Sequence, residues 1–292
     1  MNFNIEVNNR QILVHRGETI LNALRGNGIK IPTLCNMKEL SPTGACRLCV
    51  VEVEGRERLV TSCSQLVEEG MRIKTHSSRV VKARKTLVEL LLANHPDDCL
   101  YCERNGRCEL QSLAVELHVR ERHAQNKTFS QKLDLSSHSI IRDPSKCVLC
   151  GRCVRICNEL QSVSTFEFVK RGCNMYIGTA MSRDLTFSNC IACGQCVMSC
   201  PTGALSERSN VDEVIDALNN PNLIPVVQVA PSISVSLASE LGLKPGKDLN
   251  GVLNAILRKI GFRYVFDSAA AALKWLPYPF LLRSGPIETP LL

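Results

Sequence analysis

The chain has 292 residues, 45% hydrophobic and 22% charged, a balance that fits two to four folded domains and excludes a disordered chain. No apolar run approaches the roughly 18 residues of a membrane span, and Met1–Val7 lacks the basic start and apolar core of a secretory signal, so a cytoplasmic protein is expected. The formal charge of +7 alone would allow an anionic partner, yet 4% aromatic residues and one tryptophan argue against a nucleic-acid binder that stacks bases.

Two short alternating segments, Phe3–Val7 and Gln11–Val14, read as strands joined by the turn residues Asn8-Asn9. A helix follows over Thr19–Arg25, ended by Gly26 and Gly28. Then come Cys35, Cys46, Cys49 and Cys63, with a hairpin predicted over Val50–Val53 and Arg58–Thr61 and turning at Gly55. Sixteen cysteines in a chain without a visible signal point to metal ligands rather than disulfides, because the cytosol keeps thiols reduced. Two strands, a helix, a cysteine loop and a hairpin are the parts of a β-grasp ferredoxin around a [2Fe–2S] cluster. Ten residues separate Cys35 from Cys46 where the plant-type spacing has four, so this is a variant, and structural zinc is the competing reading.

Arg79–Ala93 is predicted helical from Val80, Leu87, Val88, Leu91 and Leu92, and Pro96 breaks the helix. Its Arg79, Lys82, Arg84 and Lys85 read as a solvated face before a docking patch. Cys99, Cys102 and Cys108 are one donor short of a cluster, and His95 supplies it in the run His95-x3-Cys99-x2-Cys102-x5-Cys108. A neutral imidazole in place of a thiolate removes a negative charge and raises the cluster's potential. The serine-bearing stretch 124–139 reads as a linker.

Cys147, Cys150, Cys153 and Cys157, then Cys190, Cys193, Cys196 and Cys200, each form C-x2-C-x2-C-x3-C, the bacterial ferredoxin run in which the fourth cysteine ligates the other cluster. One [4Fe–4S] cluster then takes Cys147, Cys150, Cys153 and Cys200, and the second Cys190, Cys193, Cys196 and Cys157. Zinc ribbons use two separated C-x2-C knuckles instead. Pro201 follows the second run, Asn158 stands in that place after the first, and Gly151, Ala192 and Gly194 let backbone N–H groups turn toward sulfur. Cys173, between the runs, reads as an ordinary buried thiol. Beyond a spacer helix over Val211–Leu218, Val226–Pro231 reads as a strand, Leu249–Ile260 as an amphipathic helix stopped by Gly261, and Arg263–Asp267 as a second strand. Four prolines lie between Pro277 and Pro290. No G-x-G-x-x-G joins a strand to a helix and no phosphate-cradling loop is present, so no nucleotide site is expected on this chain.

Taken together these motifs resemble the N-terminal half of iron-only hydrogenase large subunits and, less completely, the large iron–sulfur subunit of respiratory complex I. The match is carried by Thr43-Gly44-Ala45-Cys46-Arg47-Leu48-Cys49, Asn94-His95-Pro96-Asp97-Asp98-Cys99, Asn105-Gly106-Arg107-Cys108-Glu109-Leu110-Gln111, Arg142-Asp143 and Gly151-Arg152-Cys153-Val154-Arg155. It covers residues 1–210 and continues weakly into the start of the hydrogenase catalytic domain. Those hydrogenases hold their catalytic cluster on four further cysteines, whereas no cysteine follows Cys200 here, so no hydrogenase active site is expected.

The resemblance implies an α+β multidomain chain. Its expected parts are a [2Fe–2S] β-grasp domain (1–78), a helical [4Fe–4S] domain with one histidine and three cysteine ligands (79–123), the linker (124–139), a 2×[4Fe–4S] ferredoxin domain (140–209) and a truncated hydrogenase-like segment (210–292). It implies an oxidoreductase subunit that carries electron-transfer clusters only, with FMN or FAD and NAD(P) on partner chains. Expected partners are a flavin- and NAD-binding iron–sulfur subunit, a small thioredoxin-like [2Fe–2S] subunit, a second NADP-linked flavoprotein and soluble ferredoxin. The preferred whole is an electron-bifurcating NAD(P)H:ferredoxin transhydrogenase of anaerobic metabolism. Alternatives are an accessory subunit of a hydrogenase or formate dehydrogenase complex, a hydrogenase remnant, and a redox sensor. Four oxidised clusters would together carry a charge of roughly −7, so the basic excess reads as counter-charge for them.

Overall fold

Phe3, Ile5 and Val7 alternate with polar neighbours and so give a strand one apolar face. In the computed structural model, which describes residues 2–120, 132–244 and 247–268, they lie on β1 (Asn2–Val7). Asn8 and Asn9 both take positive φ, 49° and 64°, as a two-residue hairpin turn requires, and β2 (Arg10–His15) returns with Ile5 opposite Ile12. Thr19 caps α1 (Ile20–Gly26), its hydroxyl accepting from Asn22 N at 3.3 Å, and Ile20, Leu21 and Leu24 are buried against the sheet. β3 (Val50–Val53), β4 (Val60–Thr61) and β5 (Arg72–Lys74) complete a sheet of order β2-β1-β5-β3-β4. The central β5, parallel to β1, is absent from the sequence expectation because it carries one apolar residue, Ile73.

Ser77 caps α2 (Ser78–Ala93), which buries Val80 and Val88 completely, and α3 (Glu109–Glu116) begins directly at Cys108. Leu87, Val88, Leu110 and Leu113 from these helices share one core with Leu34 and Leu48 of the first cysteine loop. Next come β6 (Ile140–Arg142), α4 (Arg152–Arg155) running into one π-turn at Ile156–Leu160, the hairpin β7 (Glu167–Val169) and β8 (Tyr176–Gly178), α5 (Gln195–Ser199) and β9 (Leu205–Glu207). β6 and β9 pair antiparallel and close this segment on itself. Of the stretch expected as a linker, 124–131 lies outside the described residues. Within 132–139, Asp134 is buried and bridges to Arg142.

The chain divides into two compact units, 1–208 and 209–292. In the second, α6 (Val211–Asn219), β10 (Val226–Val229), α7 (Pro231–Glu240), α8 (Asn250–Ile260) and β11 (Tyr264–Asp267) follow in order. β10 and β11 pair in parallel from Val226 opposite Tyr264 to Val229 opposite Asp267, and Gly261, at φ 127°, ends α8. Pro231, expected only to stop a strand, opens α7, where its missing N–H costs nothing. The proline-bearing tail, 269–292, lies outside the described residues. No helix among the described residues is long and apolar enough to cross a membrane.

Asp134 Oδ2 accepts from Leu185 N at 2.9 Å, Oδ1 accepts from Ser136 N at 3.0 Å, and the Arg142 guanidinium stands 3.7 Å away. Replacing Asp134 with Ala leaves the half-buried Arg142 without its carboxylate, holding only the Ile177 carbonyl, and leaves two amide donors unmatched. A loss of about 3 kcal/mol is expected, read as a lowered denaturation midpoint.

Candidate iron–sulfur centres

The first group sits on the loop between α1 and β3 and on the turn after β4. Cys35, Cys46, Cys49 and Cys63 are all buried, and the structure brings them together in two pairs. Cys46, beside Cys35, drives its thiol well below the ordinary range, and Cys63, beside Cys49, does the same to that thiol. Cys46 and Cys63 are in turn driven up by those same neighbours and by burial. Cys63 also feels Cys35 and Cys46, so all four share one electrostatic neighbourhood. Leu34 N donates to Cys46 Sγ at 3.3 Å, and Ser62 fastens the Cys49 carbonyl through its N–H and its hydroxyl.

The second group follows α2. His95 is buried just past the helix end, its N–H donating to Leu92 O at 3.1 Å. Cys99 opens a short 3-10 turn, and Cys108 forms the N-cap of α3, where the amides of Leu110 and Gln111 point at its sulfur. Burial raises the Cys108 thiol, with Cys102 and Cys99 adding to it. The Asn105-Gly106 turn is held by Gln111, which accepts from Gly106 N and donates to Asn105 Oδ1.

The third and fourth groups share a duplicated scaffold. Leu149 and Ala192 occupy equivalent places, both at positive φ, and each donates its N–H to the sulfur two residues back, Cys147 or Cys190, at 3.4 Å. Gly151 and Gly194, at φ 70° and 73°, then open α4 and α5. At Gly151 a Cβ would come within 2.9 Å of the Phe168 ring. Cys147, Cys150, Cys153 and Cys200 line one apolar cavity, and Cys157, Cys190, Cys193 and Cys196 line another, with Phe166 on the wall of both. Cys153 and Cys157 stand one turn apart, either side of the start of the π-turn, and so reach different cavities.

Burial pushes Cys147 up to about 12 and Cys150 up to about 11 in the first cavity, and Cys196 up to about 12 in the second. Thiolates there need a cationic partner. Among the described residues no three His, Cys, Asp or Glu side chains could grip a single metal ion. Sulfur donors set around an apolar space fit a polynuclear iron–sulfur cluster, bound through sulfur and shielded from water.

The groups abut within the first unit. A Cβ on Gly203 would lie 2.6 Å from Cys102 Sγ, so the second group touches the chain three residues past Cys200. Glu109 N donates to Pro201 O at 2.9 Å, and Glu109 pairs bidentately with Arg152 at 2.5 and 2.8 Å. Cys150 shares an apolar core with Cys35, Cys46 and Cys108. Cys153 feels Cys196. The third group thus has each of the others as a neighbour.

Cys173 stands apart. It was expected to be buried, but it is exposed, because its 3-10 turn Gly172–Asn174 lies outside the packed face of the β7–β8 hairpin. Arg84, expected on a solvated face, is 3% exposed. Gly203, Phe166 and the buried Arg152 and Arg155 carry no site role that spacing alone would assign. The i, i+4 spacing of Arg84 from Val80 and Val88 is the signal that could have found Arg84.

Four family descriptions match the chain, one of them at two places. They are "2Fe-2S iron-sulfur cluster binding domain" at residues 1–78 and "NADH-ubiquinone oxidoreductase-G iron-sulfur binding region" at 84–123. "4Fe-4S binding domain" matches at 144–160 and 185–206, and "Iron only hydrogenase large subunit, C-terminal domain" at 224–275. The chain is 43% identical to the NADP-reducing hydrogenase subunit HndD of Solidesulfovibrio fructosivorans over 92% of its own length and 47% of that protein. It is 37% identical to the NADPH-Fe(3+) oxidoreductase subunit alpha of Geobacter sulfurreducens over 69% of its length and 24% of that protein. It therefore spans less than half the length of either relative. A crystal structure of NAD+-reducing [NiFe]-hydrogenase in the H2-reduced state aligns with a TM-score of 0.66 at 30% identity, covering 71% of this chain and 88% of that one.

Gly203→Ala places a methyl group inside the Cys102 sulfur. If Cys102 helps to hold a four-iron cluster, as proposed below, the expected result is a chain that folds with about four fewer irons, measured by iron analysis.

Proposed function

Because this chain belongs to the family of iron–sulfur electron-transfer subunits shared by iron-only hydrogenases and the NADH-quinone oxidoreductases, we propose that it wires an NAD(H)-linked flavin subunit to ferredoxin or to a second redox partner. The reading assigns Cys35, Cys46, Cys49 and Cys63 to a [2Fe–2S] cluster. It assigns His95, Cys99, Cys102 and Cys108 to a [4Fe–4S] cluster, with the two crossed ferredoxin sets as two more. Such clusters supply one-electron transfer when bound.

The observation that carries the reading is contiguity. The Cys147/Cys150/Cys153/Cys200 cavity neighbours the other three groups, so electrons arriving at either the first or the second group have a short path to it. This chain's own residues shape that path. Gly203 permits the approach of Cys102, Arg152 and Glu109 lock α3 to α4, and Phe166 lines both ferredoxin cavities. Cys193 is exposed, and Ile191 and Met198 beside it are exposed apolar residues, which suits transfer to a docked partner.

In the whole assembly the flavin, the NAD(P) sites and the small [2Fe–2S] subunit reside on other chains, and the activity is a bifurcating NAD(P)H:ferredoxin transhydrogenase in the cytoplasm. A second reading, an electron-transfer subunit of a hydrogenase complex, is favoured by the match at 224–275. The test is anaerobic purification of the tagged chain with its companions, followed by NADH- and NADPH-dependent ferredoxin reduction. Activity is expected to vanish when this chain is deleted, and activity that persists without it contradicts the wiring role.

His95→Cys adds a thiolate to one cluster. The expected outcome is a fall in the midpoint potential of a single [4Fe–4S] signal in an EPR-monitored titration, with the other signals unmoved.

A further inference from the structure

Three arginines are buried near the cysteine groups, and they differ in what faces them. Arg152 is neutralised by the bidentate carboxylate of Glu109. Arg84 and Arg155 are not. Arg84 is 3% exposed and Arg155 7%, and among the described residues neither has a carboxylate within ion-pair distance.

Both bind carbonyls of the chain that carries the first cysteine group. Arg84, on α2, donates from Nε to Leu48 O at 3.1 Å and from Nη2 to Val50 O at 2.8 Å, so its fork brackets Cys49. Arg155, on α4, donates from Nη2 to the Cys35 carbonyl itself and from Nη1 to Ser41 O. Glu159, one turn along, accepts from Ser41 N at 2.9 Å, so the Ser41 peptide is gripped on both sides. Each half of the [2Fe–2S] loop is thus held by one arginine from outside the β-grasp sheet. Cys35 lies beside Cys46, and Cys49 beside Cys63.

A buried guanidinium without a carboxylate is costly unless another negative charge lies close. For Arg84 the favourable charges are the Cys49 sulfur and then Glu116, which itself pairs with Lys30. When one electron enters a [2Fe–2S] site held by four thiolates, no bond is made or broken. The site's charge goes from about −2 to about −3, and fixed positive charge nearby favours the added electron.

We propose that Arg84 and Arg155 are positioning residues that clamp the two halves of the [2Fe–2S] loop and set its reduction potential upward with their fixed charge. This rests on the assignment of Cys35, Cys46, Cys49 and Cys63 as its ligands. The arrangement places control of one cluster's potential in two neighbouring domains, so undocking either domain also changes the energy of the electron.

The test uses the full chain, purified anaerobically, in four variants: Arg84→Gln, Arg84→Lys, Arg155→Gln and Arg155→Lys. The wild type is examined first for [2Fe–2S] absorption and its EPR signal. Absence of that signal means that the ligand assignment has failed, and the clamp with it. With the signal present, each protein is poised with dithionite and mediators and its midpoint potential is read. The Gln variants are expected to disfavour reduction at least tenfold, about 59 mV for one electron, and the Lys variants to recover most of the shift. If a Gln variant does not fold, the Lys variant at that site is compared with wild type for signal shape, where one donor has lost its second carbonyl. An altered line shape at a near-normal potential supports the clamp. A wild-type potential in a Gln variant, or wild-type potential and shape in a Lys variant, overturns the proposal at that arginine.

Discussion

Gathering sulfur donors away from water is unfavourable unless positive charge accompanies them, and this constraint organises the first unit of the chain. Burial raises the thiols of Cys147, Cys150, Cys153 and Cys196, so a thiolate at those positions is disfavoured unless positive charge lies beside it. What the protein supplies in advance is partial positive charge. Backbone N–H groups of Leu34, Leu149, Thr165 and Ala192 point at sulfur, and Leu149 and Ala192 accept a left-handed backbone, at about 1 kcal/mol each, to do so. The three buried arginines add full charges at the borders between domains.

The same constraint explains why the domains interlock. Leu40 and Met37, from the first cysteine loop, pack into the ferredoxin core, whereas Leu34 and Leu48 from the same loop pack with α2 and α3. Glu109, one residue past Cys108, serves at once as the first residue of α3, the partner of Arg152 and a donor to Pro201 O. Residues that hold one cysteine group in place are therefore supplied by the domain of another, and close approach of the groups comes with their stability. The second unit carries a two-stranded parallel sheet and exposed apolar residues such as Val226, Val235 and Ile260.

Much of this was legible in the sequence because cysteine spacing is a covalent ruler. The crossed assignment of Cys157 and Cys200 came from the duplicated run alone, and the two cavities gather those same sets. The hairpin at Asn8-Asn9, the helices at 20–26 and 78–93 and the strand at 226–229 also followed from local chemistry. What sequence periodicity could not show was whatever depends on distant partners. β5 has one apolar residue and exists because β1 and β3 flank it. α3 is too short for a clear period, and α7 hid behind a proline. Arg84 looks like part of a basic surface, although Val80 and Val88 flank it at helical spacing and share its buried face. Residue type suggests a buried Cys173, whereas its position on a hairpin turn decides its exposure.

The most direct test of the four-cluster assignment is metal and sulfide analysis of the full chain purified without oxygen, combined with low-temperature EPR of the reduced protein. The expected result is about 14 irons with about 14 acid-labile sulfides per chain, in one [2Fe–2S] and three [4Fe–4S] signals broadened by mutual coupling. A protein that instead carries stoichiometric zinc with little iron or sulfide, or iron signals with no magnetic interaction, would contradict it.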